Sequence, residues 1–371
     1  MKVLVVFGTR PEAIKMCPLV LELLKASDIE TRVCVTGQHR SMLDQVLEIF
    51  GVQPDYDLSI MQPRQTITTI TTSVLDKIEP VLTEYGPDVV LVHGDTTTSM
   101  SAAMAAFYQQ IPVGHVEAGL RTYNIYSPFP EEMNRKLITA LSTYFFAPTD
   151  GNRAALAREG VTDHVYVTGN TVIDSFQYTV RDDYVFKDPT LAAHDFSQPT
   201  ILLTAHRREN LGPPLENICY AVRDLVAQHP DLWFIYPVHL NPAVRETVWS
   251  ILGDLPHVLL IDPIDVEDMH NAIGRSLMVL TDSGGLQEEA PHLGKPVVVL
   301  RTETERPEAV EAGTAVVVGV DREAIVDQVN ALLNDQDVYT SMSTAINPYG
   351  DGHASQRIVQ ILRENFEMTD D

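Results

Sequence analysis

The feature that most constrains this chain is a rhythm. Short unbroken runs of aliphatic and β-branched residues alternate with amphipathic stretches. In the first half the runs are Lys2–Phe7, Thr31–Thr36, Asp88–His93, Val113–Glu117, Tyr144–Ala147 and His164–Thr168. In the second they are Thr200–Thr204, Trp233–Pro237, Val258–Ile261, Leu277–Thr281, Pro296–Leu300 and Ala315–Val318. Helical patterns at Ala13–Ala26, Met42–Phe50, Thr66–Tyr85 and Thr97–Gln109 separate the early runs. Strands without polar alternation are covered on both faces, the condition of a parallel sheet. The rhythm runs twice, so an α/β fold of two doubly wound Rossmann-like domains is expected, with the ligand in the interdomain cleft. A length of 371 residues exceeds one core and suits two. The expected boundary falls at Gly169, giving 1–168 and 169–353, with a last helix over about 354–371 returning to the first domain.

Charge narrows the function. A formal net charge of -25 disfavours nucleic acid or an anionic membrane as partner. An anionic ligand would require the few Arg, Lys and His residues to be gathered locally. No apolar run reaches the roughly 18 residues of a membrane span, and the chain opens on a strand, so a cytoplasmic protein is expected. Cys17, Cys34 and Cys219 share no metal-ligand spacing and read as buried free thiols. No metal site is expected.

Open α/β sheets bind ligands at the carboxyl ends of their strands. In the first half those exits are Gly8-Thr9-Arg10, Gly37-Gln38-His39-Arg40, His93-Gly94-Asp95 and His115-Val116-Glu117. In the second they are His206-Arg207-Arg208-Glu209, His239-Leu240-Asn241, Asp282-Ser283-Gly284-Gly285 and Arg301 through Arg306. Asp95 and Glu117 leave neighbouring strands and could serve as acid and base, or cap a helix and pair with Arg121 respectively. Glu131 and Arg135 stand four apart and either form a helical ion pair or turn Glu131 to the ligand, with Glu132 directed elsewhere. Small residues at Ser283–Gly285 would let backbone N–H groups approach a phosphate, with Glu288 or Glu289 accepting from a ribose. His206 and His239 are candidates for diphosphate contact or proton handling, whereas His93 and His115 read as buried structural residues.

These segments resemble the non-hydrolysing UDP-N-acetylglucosamine 2-epimerases of bacteria. The resemblance runs through Gly8–Lys15, His93–Thr98, Gly114–Thr122, Pro130–Glu132 and Thr168–Asp174, then His206–Asn210, Tyr236–Pro242, Thr281–Gly285, Thr304–Ala309 and Asn347–Gly352, covering the chain in order. It implies a glycosyltransferase-B-like fold, a homodimer, and UDP-N-acetylglucosamine as substrate and allosteric activator, with no cofactor. It implies catalytic roles for Asp95, Glu117, Glu131 and His206. Arg10, Lys15, Arg135, His239, Met269, Ser283, Gly284, Gly285, Glu289 and Arg306 would bind the nucleotide sugar, Met269 standing where relatives often carry an aromatic beside the uracil. Gln38, His39, Arg64, Gln65 and Arg207 would form the regulatory site, where Ser41 replaces a glutamine of some relatives.

The implied chemistry is elimination of UDP to a 2-acetamidoglucal and re-addition, feeding cell-surface polysaccharide synthesis. Breaking the C1–O bond first acidifies the C2 proton, so acid and base carboxylates and a cationic diphosphate clamp are both needed. A glycosyltransferase, a hydrolysing epimerase and a non-catalytic nucleotide-sugar sensor are the competing readings.

Overall fold

The computed structural model describes residues 1–37, 40–62 and 64–367. Two compact units divide them, Met1–Tyr178 with Tyr349–Asp371, and Thr179–Pro348. The first unit therefore runs past Gly169, because the helix Thr171–Thr179 begins among its residues, and the chain returns to it at Tyr349.

The first unit carries β1 (Lys2–Phe7), β2 (Glu30–Val35), β3 (Tyr56–Asp57), β4 (Val89–His93), β5 (Val113–Val116), β6 (Tyr144–Ala147) and β7 (Val165–Val167). They form one parallel sheet in the order β3-β2-β1-β4-β5-β6-β7. The two-residue β3 has no apolar run to announce it. Side chains of β1 alternate between two cores: Val3, Val5 and Phe7 pack on one face, Leu4 and Val6 on the other. That two-sided burial is why the strand reads as an unbroken apolar run.

The second unit carries β8 (Thr200–Thr204), β9 (Trp233–Pro237), β10 (Val258–Ile261), β11 (Met278–Thr281), β12 (Val297–Val299) and β13 (Ala315–Val317), in the parallel order β10-β9-β8-β11-β12-β13. Both orders reverse direction beside the unit's first strand, between β1 and β4 and between β8 and β11. Such a switch point opens a crevice at the strands' carboxyl ends.

The C-terminal helix Ala354–Glu367 places Ile358, Val359 and Leu362 in the first unit's core. The Asp174 carboxyl receives the backbone N–H groups of Ala354 at 3.2 Å and Ser355 at 2.7 Å, capping that helix from across the unit. Among the described residues no helix is long and apolar enough to cross a membrane. All three cysteines are free and buried, and burial pushes the Cys34 and Cys219 thiols up to about 12.

Candidate functional site

In the first unit the chain leaves β1 through Gly8 and Thr9 into the helix Arg10–Lys25, with Thr9 as N-cap and Pro11 in the first turn. Gly8 is required by space, since a Cβ there would stand 2.0 Å from Thr36 Oγ1. The buried carboxyl of Glu12 receives the N–H groups of Gly8 at 3.0 Å and Thr9 at 2.8 Å on one oxygen. Its other oxygen lies 2.7 Å from the Thr96 hydroxyl and 2.8 Å from the Ser99 hydroxyl, beyond β4. Glu12 thus ties the exits of β1 and β4 together, fixing the turns that carry Arg10 and Asp95.

Glu117 follows β5 with a φ of 64°, a left-handed backbone that turns its carboxyl over the β4 exit. Its Oε1 lies 3.7 Å from where a Gly94 Cβ would stand. Its Oε2 receives the Lys15 ammonium and, at 3.0 Å, the Asn170 amide, with His93 Nε2 at 3.5 Å. Burial opposes the charged form, yet Lys15 and His93 outweigh it and hold this carboxyl well below its ordinary pKa. Arg121 does not reach Glu117. It forks onto Glu159 at 3.0 and 2.8 Å.

Asp95 does not cap a helix; Thr96 does, accepting from Ser99 N. The Asp95 carboxylate is held instead by Arg135, at 2.9 and 2.7 Å. The second arm of Arg135 goes to Glu132, which is fully buried and also accepts from Thr122 N and Tyr123 N. Arg135 therefore turns to Asp95 and Glu132 rather than to Glu131, whose buried Oε2 has no hydrogen-bond partner. Three carboxyl groups of different electrostatic standing thus belong to one sheet edge.

His115 is a structural residue, donating through Nε2 to the Gly94 carbonyl at 2.7 Å. Burial pushes its pKa down to about 4, against the opposing pull of that hydrogen bond. His93 is buried too, but sequence reasoning missed its place beside Glu117. The available signal was strand register, since His93 aligns with Val116, the residue before Glu117.

In the second unit Asp282 occupies the equivalent switch point, just beyond β11. Its Oδ2 receives His206 N and Arg207 N, each at 2.8 Å, and the Asn210 amide at 3.0 Å. The His206 and His239 rings stack with centroids 5.2 Å apart and planes 4° from parallel, and His239 Nδ1 accepts from Asn241 N at 3.1 Å. Around Gly284, Arg306 and Arg207 nitrogens lie 3.6 and 3.7 Å from the position of an added Cβ, so a side chain would fill the space both guanidinium groups face. Arg207 thus belongs with the Ser283–Gly285 turn in this unit.

Arg306 is paired with Glu288, which answers one question the sequence left open: Glu288 is spent inside the unit. Glu289 folds back with one oxygen 3.0 Å from a Gly285 Cβ position and the other 3.4 Å from His270 Nε2. The helix that Ser283 opens runs only from Gly284 to Glu289, so its dipole is short and the guanidinium groups supply most of the positive charge. Met269 is half-buried in the helix Val266–Arg275.

Arg10 is half-buried at the start of its helix, Arg64 is exposed with φ 59°, and the Gln65 amide donates to the Ile60 carbonyl. Gln38 and His39 lie outside the described residues. Among the described residues no group of three His, Cys, Asp or Glu side chains could hold a metal ion.

Two doubly wound parallel units with strand-end carboxylates in one and an arginine- and histidine-rich edge in the other define a glycosyltransferase-B-like, nucleotide-sugar class of protein. Residues 21–363 match the family model described as UDP-N-acetylglucosamine 2-epimerase, and the chain belongs to that family. The UDP-N-acetylglucosamine 2-epimerase of Escherichia coli K12 is 54% identical, over 98% of this chain and 99% of that protein. Its counterpart in Bacillus subtilis is 54% identical over 98% and 95%. The solved structure of the Neisseria meningitidis UDP-GlcNAc 2-epimerase bound to UDP-GlcNAc superposes with a TM-score of 0.90 at 48% identity, covering 98% of this chain and all (100%) of that one.

Proposed function

We propose that this chain catalyses reversible epimerisation at C2 of UDP-N-acetylglucosamine, giving UDP-N-acetylmannosamine through elimination and re-addition of UDP. The observation that carries the reading is the set of three carboxylates at the first unit's strand edge, each differently held. Glu117 is kept as an anion by Lys15, which suits it to face the positive charge that grows at C1 as the C1–O bond breaks. Asp95 and Glu131 then divide the removal of the C2 proton and its return to the opposite face. Proton loss and UDP departure leave the 2-acetamidoglucal. Proton return at C2 and attack of the UDP oxygen on C1 restore a nucleotide sugar.

The second unit's edge takes the leaving group. Arg306 and Arg207 face the Gly284 turn, and His206 and His239 stand beside it. The relatives' names and the nucleotide-sugar complex of the Neisseria protein support this substrate. The same reading includes a cytoplasmic homodimer and a second UDP-N-acetylglucosamine site drawing on Gln38, His39, Arg64 and Gln65, without Arg207, which faces the Gly284 turn.

Incubation with UDP-N-acetylglucosamine in D₂O, followed by NMR, tests it. Deuterium at C2 together with UDP-N-acetylmannosamine is the expected result. Release of free sugar as the only product, transfer to an acceptor, or binding without exchange would each sink it.

A further inference from the structure

Asp282 presents two very different oxygens. Oδ2 is saturated by three donors, the N–H groups of His206 and Arg207 and the Asn210 amide. Oδ1 is fully buried with no hydrogen-bond partner and lies 3.6 Å from His206 Nδ1. A buried acceptor without a donor is costly, and that ring nitrogen is a group able to supply one.

We propose that Asp282 is the positioning residue of His206, holding the ring in its Nδ1–H tautomer so that Nε2 is left to the diphosphate of the nucleotide. The inference rests on the function proposed above and concerns the same site. A proton on Nδ1 points a donor at Oδ1 across the 3.6 Å gap, which a small ring movement would close to a hydrogen bond, whereas the other tautomer would set a ring lone pair against a carboxylate lone pair. Oδ2 is immobilised by three donors, so Oδ1 cannot turn away. The parallel His239 ring covers one face of His206 and restricts its rotation.

The charged and titratable groups facing His206 are Asp282 beyond β11, His239 beyond β9, and Arg207 and Glu209 from its own turn. Burial, then His239 and Arg207, disfavour a second proton on the ring, while Asp282 and Glu209 favour it; the net direction is down. A bound diphosphate adds negative charge on the Nε2 side and reverses that balance. The ring then takes up a proton and stands as an imidazolium between two anions, Asp282 on Nδ1 and a phosphate oxygen on Nε2. The Nε2–H hydrogen bond strengthens as charge builds on the departing phosphate, and the ring need not release its proton.

NMR of the free protein, calorimetry with UDP as the probe and the kinetics of variants test this. Long-range ¹H–¹⁵N NMR of histidine-labelled wild-type protein should show His206 protonated on Nδ1; protonation on Nε2 alone overturns the proposal even if no variant folds. Calorimetry of UDP binding in buffers of different ionisation enthalpy should show net proton uptake, lost in Asp282→Asn, whose amide would impose the opposite tautomer. That variant should lose roughly 10- to 100-fold in kcat, the range of a hydrogen bond to a charged group. In a His206→Gln background Asp282→Asn should add little. Undiminished proton uptake in Asp282→Asn, or full additivity of the two changes, reduces Asp282 to scaffold and overturns the proposal. C2 exchange in D₂O is scored separately. Exchange with the wrong tautomer defeats only the positioning role, and the right tautomer without exchange defeats only the epimerase reading.

Discussion

The two sheet edges solve one structural problem with opposite charge. At each switch point a buried carboxyl ties two strand exits together: Glu12 bridges β1 and β4, and Asp282 bridges β8 and β11. Outward from these knots the units diverge. In the first, the Arg135 cation is buried and the Asp95 carboxylate it holds is the more exposed partner. In the second, Glu288 and Asp282 lie deep, and Arg306 and His206 are the more exposed partners. In the Arg135–Asp95, Arg306–Glu288 and His206–Asp282 pairs the more exposed member is the group each edge offers, a carboxylate in the first unit and a cation or imidazole in the second, whereas Lys15 and Glu117 are about equally buried.

The sharpest way to break the comparison is to remove a holding cation from the first edge. Lys15→Met leaves Glu117 buried without its main counter-charge, a loss worth about 3 kcal/mol in a buried pair. We expect kcat to fall by more than about 100-fold. Because Lys15 holds the Glu117 pKa down, its loss raises that pKa, so the acid limb of any residual pH–rate profile should move to higher pH. An unmoved limb would deny Glu117 its dependence on Lys15.

Glu12→Ala attacks the first knot. It strands the Gly8 and Thr9 backbone donors and removes an acceptor from the Thr96 and Ser99 hydroxyls, and roughly 2–4 kcal/mol of first-unit stability should go with them. Limited proteolysis should then cut first within Met1–Tyr178 while Thr179–Pro348 resists. On the second edge, Arg306→Ala should weaken UDP binding by about 10- to 100-fold in calorimetry, since it removes a cation that faces the Gly284 turn and is paired with the buried Glu288. It should leave the proton chemistry of any substrate that still binds less affected than Lys15→Met does.

The effect confined to acid is a pH slope. His115 is depressed to about 4 in the folded unit against an ordinary 6.5, so the unfolded chain binds its proton first. Its contribution to stability is present in full above about 6.5 and drains away as pH falls towards 4, amounting to about 3 kcal/mol. His115→Asn should flatten the acid stability curve of the first unit over that window in thermal melts, whatever its effect at neutral pH. An equally steep curve would assign the acid sensitivity to the carboxylates alone.

Local chemistry by itself determined the strands, because two-sided burial demands unbroken apolar runs. It also placed Asp95, Glu117, His206 and Ser283 at strand exits, since exits follow directly from where those runs stop. The two-residue β3 escaped because it has too few residues to carry a pattern. Partnership was the part the sequence left ambiguous. Spacing in the chain suggested Glu131 with Arg135 and Glu117 with Arg121, four residues apart in each case. The fold gave Arg135 to Asp95, Arg121 to Glu159 and Lys15 to Glu117, across 40, 38 and 102 residues respectively. Ion pairs form where side chains converge in space, and in a doubly wound sheet it is the order of strands, not the order of residues, that decides which exits are neighbours.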